Sequence, residues 1–130
     1  MIYVPISLGE LIDKITILKI KCIKIKDTTK LENVNKEYHL LIEILFKQGL
    51  TEEDPLFKEL YELNTIFWEY HDWQREKWRE CKDDDVNLEL YHKNREEHIL
   101  NDKRAEIKKK INEMYHSEIV EEKQFISYKI

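Results

Sequence analysis

Apolar residues recur at intervals of three and four along most of the chain, which is the spacing of one face of an α-helix. The first such stretch begins at Leu8 and continues to about Lys26, and it is wide enough to pack against neighbours on two sides. Isoleucine is abundant here and favours strands, but lysines at helical spacing outweigh that preference. The apolar seam of this first helix consists of Leu8, Leu11, Ile15, Leu18, Cys22 and Ile25.

Two further helical stretches follow, each with its own boundary signals. The second is expected to run from an N-cap at Asp27 to a stop at Gly49, because glycine commonly ends helices. The third begins at a cap formed by Thr51 or Asp54, with Pro55 at the first helical position. The short link after the first helix predicts an antiparallel hairpin.

The third helix is expected to end near Lys82, just before three consecutive aspartates. One of these aspartates caps a fourth helix, which runs from Val86 to about Tyr115, because negative charge is favoured at a helix start. Beyond it, residues 119–130 alternate weakly between apolar and polar. That alternation leaves open a short strand that pairs with residues 2–4 or docks on a partner chain.

Composition supports the all-α interpretation. With two glycines and two prolines among 130 residues, the chain is poor in turn residues. Sandwiches, barrels and doubly wound α/β folds need many tight turns, and no glycine-rich phosphate loop can be formed either. We therefore predict a single helical domain, residues 1–130, built as an antiparallel bundle of three to four long helices.

Charge and cysteine content bear on compartment and partners. The net charge of −5 and the pI of about 5.6 argue against a nucleic-acid binder. The two cysteines are too few for a disulfide framework, and the first residues lack the basic region of a secretory signal. Charges interrupt the most apolar stretch, Ile12 to Ile25, so it cannot span a bilayer. We expect a cytoplasmic protein that neither inserts into membranes nor binds nucleic acid.

The first turn of the first helix has an unusual composition. Ser7 and Glu10 form a capping box, in which each side chain bonds to the backbone N–H of the other residue. Gly9 lies inside this box and has no side chain. We expect the tail of the chain or an anionic ligand to approach the helix here.

Aromatic residues are concentrated in the third helix, where there are more large rings than one buried stripe can hide. We interpret the excess as bundle core plus a homodimer interface, because aromatic anchors dominate protein interfaces. A pocket that stacks a planar ligand is the alternative. The proposed interface residues are Phe67, Trp68, Trp73 and Trp78.

The fourth helix has a gap in its apolar seam where polar residues share one face. His98 and Asp102 are one turn apart there and suit an acid–base or metal-ligand pair, while Arg95 one turn earlier suits an anion. A solvated face with ordinary ion pairs is the simpler interpretation. Pairs of carboxylates at magnesium-site spacing also occur, but they fall on one helix and do not converge. We therefore predict no metal and no cofactor.

Two blocks of sequence stand out, GELIDKITILKIK at residues 9–21 and NDKRAEIKKKIN at residues 101–112. They resemble a family of short, uncharacterised bacterial and phage proteins, and the resemblance spans nearly the whole chain. It implies a domain of unknown function, and it brings no catalytic residues with it. If the first and fourth helices are neighbours, Asp13 or Lys14 is expected to meet Asp102 or Arg104.

Two hypotheses about function follow. The favoured one is a small non-enzymatic binding or adaptor module that acts through protein–protein contact, as a homodimer or with another protein. The alternative is a small all-α enzyme or anionic-ligand binder with a polar pocket between the first and fourth helices. The ligand-binding residues proposed for that pocket are Glu10, Asp13, Lys14, Arg95, His98, Asp102, Arg104 and Lys108.

Overall fold

A computed structural model describes residues 1–81 and 88–124 of the chain. The described residues form four helices, which are α1 (Leu8–Lys24), α2 (Thr28–Lys47), α3 (Pro55–Glu80) and α4 (Leu88–Met114). They pack as a bundle in which α1 contacts each of the other three helices and α3 also contacts α4. The prediction of an all-α bundle is confirmed.

Side chains cap the first three helices, as their sequence signals predict, but only half of the capping box at α1 forms, because the Glu10 carboxylate bonds to Lys108 and not to the N–H of Ser7. Ser7 accepts a hydrogen bond from a first-turn N–H of α1, and Asp27 does the same for α2. At α3 the capping side chain is Asp54 and not Thr51. Just after α2, Gly49 has a φ of +80°, a conformation that side chains other than glycine adopt at a cost.

The helix ends differ slightly from those expected. The first helix ends at Lys24 and not near Lys26, because the chain must become extended before the next helix is capped. The third helix ends at Glu80. Residues 82–87 contain the expected end of the third helix, the aspartate cap and the start of the fourth helix at Val86, and they lie outside the described residues.

The proposed pairing of terminal strands is absent from the described parts of both ends. Residues 2–4 and 119–124 are irregular, and most of the apolar side chains in residues 1–6 are exposed. Residues 125–130, where the tail strand was mainly expected, lie outside the described residues. At the C-terminal end, the described residues therefore meet the bundle through hydrogen bonds and ion pairs rather than through a sheet.

The C-terminus of α4 reverses the chain direction. His116 has a φ of 54°, and the N–H of Ser117 donates to the carbonyl oxygen of Asn112 at 2.8 Å. A left-handed residue followed by such a bond is the Schellman-type end of a helix. Residues 117–124, here called the C-terminal segment, then run back along α4.

The apolar core occupies only one part of the two longest helices. Along α3 the buried positions end at Phe67, and along α4 they begin at Asp102. We call residues 68–80 and 88–101 the arm, and the remainder of α3 and α4, together with α1 and the other residues packed against it, the base. The core is formed by Leu11, Ile12, Ile15, Ile42, Leu45, Leu56, Phe57, Leu60, Leu63, Phe67, Ile107 and Ile111.

Polar contacts at both ends of α3 and α4 show that these helices are antiparallel. In the base, the hydroxyl of Tyr115 donates to the carboxylate of Asp54. In the arm, His71 Nε2 lies 2.9 Å from Glu97 Oε1. No helix in the described part of the chain combines the length and apolar content that a membrane crossing requires.

Candidate functional site

The start of α1 meets the end of α4 at Gly9. Its N–H donates to Asn112 Oδ1 at 2.7 Å, and both residues are buried. A Cβ at this position would lie only 2.6 Å from the backbone oxygen of Lys108. Only glycine therefore allows this approach of the two helices. The space that we expected the tail or a ligand to fill is taken here by α4.

The C-terminal segment reaches the residues just before Gly9. Ser117 Oγ accepts a hydrogen bond from the N–H of Leu8 at 3.0 Å, and the hydroxyl of Ser7 donates to the carboxylate of Glu121. The first N–H groups of a helix have no partner within the helix. Here α4 and the C-terminal segment satisfy them, so the tail does approach this helix start, as expected.

Lys108 joins α4 to α1 and to the C-terminal segment. Its Nζ lies 2.6 Å from Glu10 Oε2, 3.7 Å from Glu121 Oε2 and 4.0 Å from Asp13 Oδ2. Burial disfavours the charge on Lys108, but the hydrogen bond to Glu10 and the nearby carboxylates outweigh it and raise the lysine pKa. The same hydrogen bond lowers the pKa of Glu10.

Asn64 extends these contacts into the core. Its side-chain Nδ2 donates to Asp13 Oδ1 and to Thr16 Oγ1, each at 2.9 Å, and all three side chains are buried. An amide nitrogen carries two hydrogens, so both bonds form at once. Asn64 thus satisfies a buried carboxylate and a buried hydroxyl of α1 from α3.

Arg104 lies on α4 at the edge of this network. One guanidinium nitrogen donates to Asn101 Oδ1 at 2.7 Å, and the other terminal nitrogen donates to Asn64 Oδ1 at 3.4 Å. The guanidinium carbon lies 4.7 Å from the centre of the Phe67 ring. Among the described residues, no carboxylate lies within ion-pairing distance of this half-buried cation.

A groove of about 350 Å³ lies beside Arg104, between α4 and the C-terminal segment. We call it the Arg104 groove. Ion pairs cross it, with Lys109 Nζ 3.0 Å from Glu122 Oε2 and Lys123 Nζ 3.7 Å from Asp102 Oδ1. The groove is lined by Asn101, Asp102, Arg104, Ala105, Glu106, Lys108, Lys109, Asn112, Glu121, Glu122 and Lys123.

Several of the proposed ligand-binding residues come together here. Glu10, Asp13 and Lys108 form one cluster of charges, and Arg104 is linked to Asp13 through the amide of Asn64. Asp102 is buried and lines the Arg104 groove. α1 and α4 are therefore neighbours, but Asp13 meets Lys108 and reaches Arg104 through Asn64, a bridge that sequence reasoning did not assign, while Lys14 meets Glu37 of α2.

The other proposed ligand-binding residues lie elsewhere. Lys14 faces α2, where its Nζ lies 3.3 Å from Glu37 Oε1. Arg95 and His98 are exposed on the arm and do not line the Arg104 groove. The described residues contain no group of three or more histidine, cysteine or acidic side chains arranged to hold a metal ion.

The proposed interface residues also differ from one another in position. Phe67 is 5% exposed and belongs to the core, so it is not available to a partner as we expected. Its packing against the other core residues and against the Arg104 guanidinium explains this burial. Trp68 and Trp73 are half-buried, while Trp78 is 59% exposed at the far end of the arm.

Sequence reasoning missed the neutral polar residues that connect the helices. Asn64 and Asn112 are buried among apolar side chains, 3% and 1% exposed. The available signal was a polar residue beside an apolar seam, a placement that requires hydrogen-bond partners. In the arm, His71 pairs with Glu97, a contact that the sequence did not indicate.

These observations define a class of protein, an all-α bundle whose first and last helices are joined by a buried polar network beside a charged groove. The chain belongs to a family of unknown function, DUF6165, which matches residues 2–128. The resemblance to an uncharacterised family is thereby confirmed. No curated protein and no solved structure matches the chain.

Proposed function

We propose that this protein is a non-enzymatic binding module that takes an anionic ligand, with a carboxylate or phosphate group, in the Arg104 groove. The observation that carries the proposal is the half-buried Arg104 guanidinium with no carboxylate partner among the described residues. A partly desolvated charge is costly when no counter-charge accompanies it. A bound anion would offset that cost.

The surroundings of Arg104 suit recognition of such an anion. The Phe67 ring lies against the guanidinium. Asn64 and Asn101 each accept a hydrogen bond from one of the five N–H groups of Arg104. These contacts orient the guanidinium and leave other N–H groups for a ligand. Guanidinium groups bind carboxylate and phosphate oxygens in pairs, so a fixed orientation favours specificity.

Binding explains the groove better than catalysis does. Its described lining consists mainly of ammonium, guanidinium, carboxylate and amide groups, which recognise ligands by charge and hydrogen bonding. His98, the proposed acid–base residue, lies on the exposed surface of the arm. The proposed binding site lies close to the pocket that we expected between the first and fourth helices, but its second wall is the C-terminal segment and not α1.

Thermal unfolding in the presence of anions tests the proposal, because a ligand bound only by the folded state raises the melting temperature. Phosphate, pyrophosphate and citrate are the probes, and they separate phosphate from carboxylate recognition. We expect at least one probe to stabilise the wild type in a saturable way. Arg104→Gln should abolish this stabilisation, while Arg95→Gln removes the same charge from an exposed site on α4 and should retain it.

Two results would refute the proposal. One is the absence of saturable stabilisation by any of the three anions. The other is equal stabilisation of the wild type and Arg104→Gln, which would show that the anion binds elsewhere. The far-UV circular dichroism of each variant shows whether it is folded before the comparison is made.

The arm supports a second candidate function, contact with a protein partner, of which a second copy of this chain is the simplest case. Its large side chains include Trp78 and Tyr91, each 59% exposed, and Leu88, which is 68% exposed. Exposed aromatic residues are frequent anchors of interfaces. Light scattering after size exclusion should give a dimer for the wild type and a monomer for Trp78→Ser. A monomeric wild type would refute the homodimer.

A further inference from the structure

We propose that the C-terminal segment is an internal competitor for the Arg104 groove, whose carboxylates occupy α4 lysines until an anionic ligand displaces them. This inference rests on the proposed function and concerns its regulation. The two carboxylates belong to Glu121 and Glu122, and the lysines that they occupy are Lys108 and Lys109.

The charges of three residues in the segment are complementary to those of their partners on α4. Glu122 Oε2 lies 3.0 Å from Lys109 Nζ, and Glu121 Oε2 lies 3.7 Å from Lys108 Nζ. The next residue, Lys123, is a cation and meets the carboxylate of Asp102 at 3.7 Å. Three consecutive residues thus each meet an opposite charge. The carboxylates of Glu121 and Glu122 present to the α4 lysines the same chemical groups that an anionic ligand would present.

These contacts are exposed enough to be exchanged. The side chains of Glu121, Glu122 and Lys123 are 47%, 72% and 43% exposed. Ion pairs in contact with solvent contribute little to stability, because water already screens the charges. A ligand that adds the Arg104 guanidinium to its contacts would therefore compete successfully for the same lysines.

The contacts that hold the base together do not need to break in this exchange. Lys108 keeps its closer partner Glu10 at 2.6 Å, and Ser117 still accepts the hydrogen bond from the N–H of Leu8 at 3.0 Å. The cost on the protein side is the hydrogen bond from Ser7 to Glu121 and the three ion pairs of Glu121, Glu122 and Lys123. Displacement therefore pivots about Ser117, just after the left-handed residue that ends α4.

Calorimetric titration with pyrophosphate measures the competition directly. Glu122→Gln removes one competing carboxylate without touching the Ser7 contact, and we expect it to tighten pyrophosphate binding about threefold. Glu118→Gln is the matched control, because it removes the same charge from an exposed position of the same segment. We expect this control to change the affinity by less than about 1.5-fold, since a screened distant charge acts weakly.

Trypsin cleavage after Lys123 provides a second measurement. If the ligand displaces the segment, saturating pyrophosphate should speed cleavage at this bond about threefold in the wild type and leave Arg104→Gln unchanged. Mass spectrometry identifies the cleaved bond. Slower or unchanged cleavage in the wild type would contradict displacement.

The titrations separate failure of this inference from failure of the proposed function. If pyrophosphate binding depends on Arg104 but Glu122→Gln binds no more tightly than Glu118→Gln, the competitor is wrong and the binding site stands. If binding does not depend on Arg104, the proposed function fails, and the competitor fails with it.

Discussion

The base and the arm share the helices α3 and α4 but are held together by different contacts. In the base, α3 and α4 pack against α1, and the buried polar side chains Asp13 and Asn64 satisfy each other. No residue of the arm is as buried as the core residues of the base. The hydroxyl of Tyr70 in the arm is buried without a hydrogen-bond partner among the described residues. The buried contacts are therefore concentrated in the base, while the arm leaves large side chains such as Trp78 exposed.

This difference arises because α1 packs mainly against the base and leaves most of the arm uncovered. α1 covers the base over its length, and its glycine allows a close approach to α4. The arm relies on contacts between α3 and α4, such as the His71–Glu97 pair, and on contacts within α3, such as the stacked rings of Tyr70 and Trp73, whose centres are 6.0 Å apart. α1 reaches the arm where Lys24 Nζ lies 3.9 Å from Glu69 Oε1. A pair of helices with so little cover from a third buries little apolar area, which limits its contribution to folding.

The largest expected effect is in the base, at Gly9. Gly9→Ala places a Cβ 2.6 Å from the Lys108 carbonyl oxygen, so the two helices must separate. We expect a loss of about 3 kcal/mol in the free energy of unfolding, measured by urea denaturation. Glu76→Ala in the exposed part of the arm is the control and should change it by less than about 0.5 kcal/mol. Similar values for the two variants would show that the helices are not in close contact at Gly9.

The second effect tests the buried amide that joins α3 to α1. Asn64→Ala leaves the Asp13 carboxylate and the Thr16 hydroxyl without their donor, and we expect a loss of about 2 kcal/mol. Asn94→Ala is the matched control, because Asn94 is exposed on the arm, and its loss should be below about 0.5 kcal/mol. Equal losses would contradict the bridging role of Asn64.

The third effect is a dependence of stability on pH in the base. Glu10 has a pKa below 4.5 in the folded state because of its hydrogen bond with Lys108. Folding is therefore favoured by this group above pH 4.5, and the contribution is lost as the pH falls through the lowered pKa. Because Glu10 is partly exposed, the contribution at pH 7 is only about 0.5 kcal/mol after screening.

Urea denaturation between pH 7 and pH 3 measures this contribution. Glu10→Gln should be less stable than the wild type at pH 7, and the two curves should converge as the pH falls below 4.5. Glu76→Gln in the arm should remain parallel to the wild type. A constant difference between Glu10→Gln and the wild type over this range would refute the linkage.

The smallest expected effect is in the arm. Trp78→Ala removes a large side chain that is 59% exposed, so we expect a change of less than about 0.5 kcal/mol in a monomer. The measurement is urea denaturation at micromolar concentration. A loss above about 1 kcal/mol would show that the tryptophan is packed, either within the chain or against a second copy, and dilution would distinguish these.

Local sequence signals predicted the helices well and the site only in part. The caps at Ser7 and Asp27 and the glycine after α2 follow directly from local backbone chemistry, which needs no knowledge of the fold. The charged residues Asp13 and Lys108 were proposed from the family-like blocks, and the structure brings them near each other. Their bridge through Asn64 depends on how three helices cross, which local patterns do not contain.

The failures have the same origin. Phe67 was assigned to an interface because it lies in an aromatic cluster. In the structure it is the last buried residue of α3 and belongs to the core. Lys14 lies next to Asp13 in the sequence, but consecutive helix positions point in different directions, and Lys14 faces α2. Which turn of a long helix is covered by its neighbours depends on the arrangement of the whole bundle.

Side-chain nuclear magnetic resonance of the arginines tests most directly whether the base carries an anion site. In a titration with pyrophosphate, we predict that the guanidinium signal of Arg104 shifts in a saturable way, because oxygens of the ligand bond to its remaining N–H groups. Arg95 on the arm serves as the internal reference and should shift little. An Arg104 signal that does not move, or that moves in step with Arg95, would contradict a binding site in the Arg104 groove.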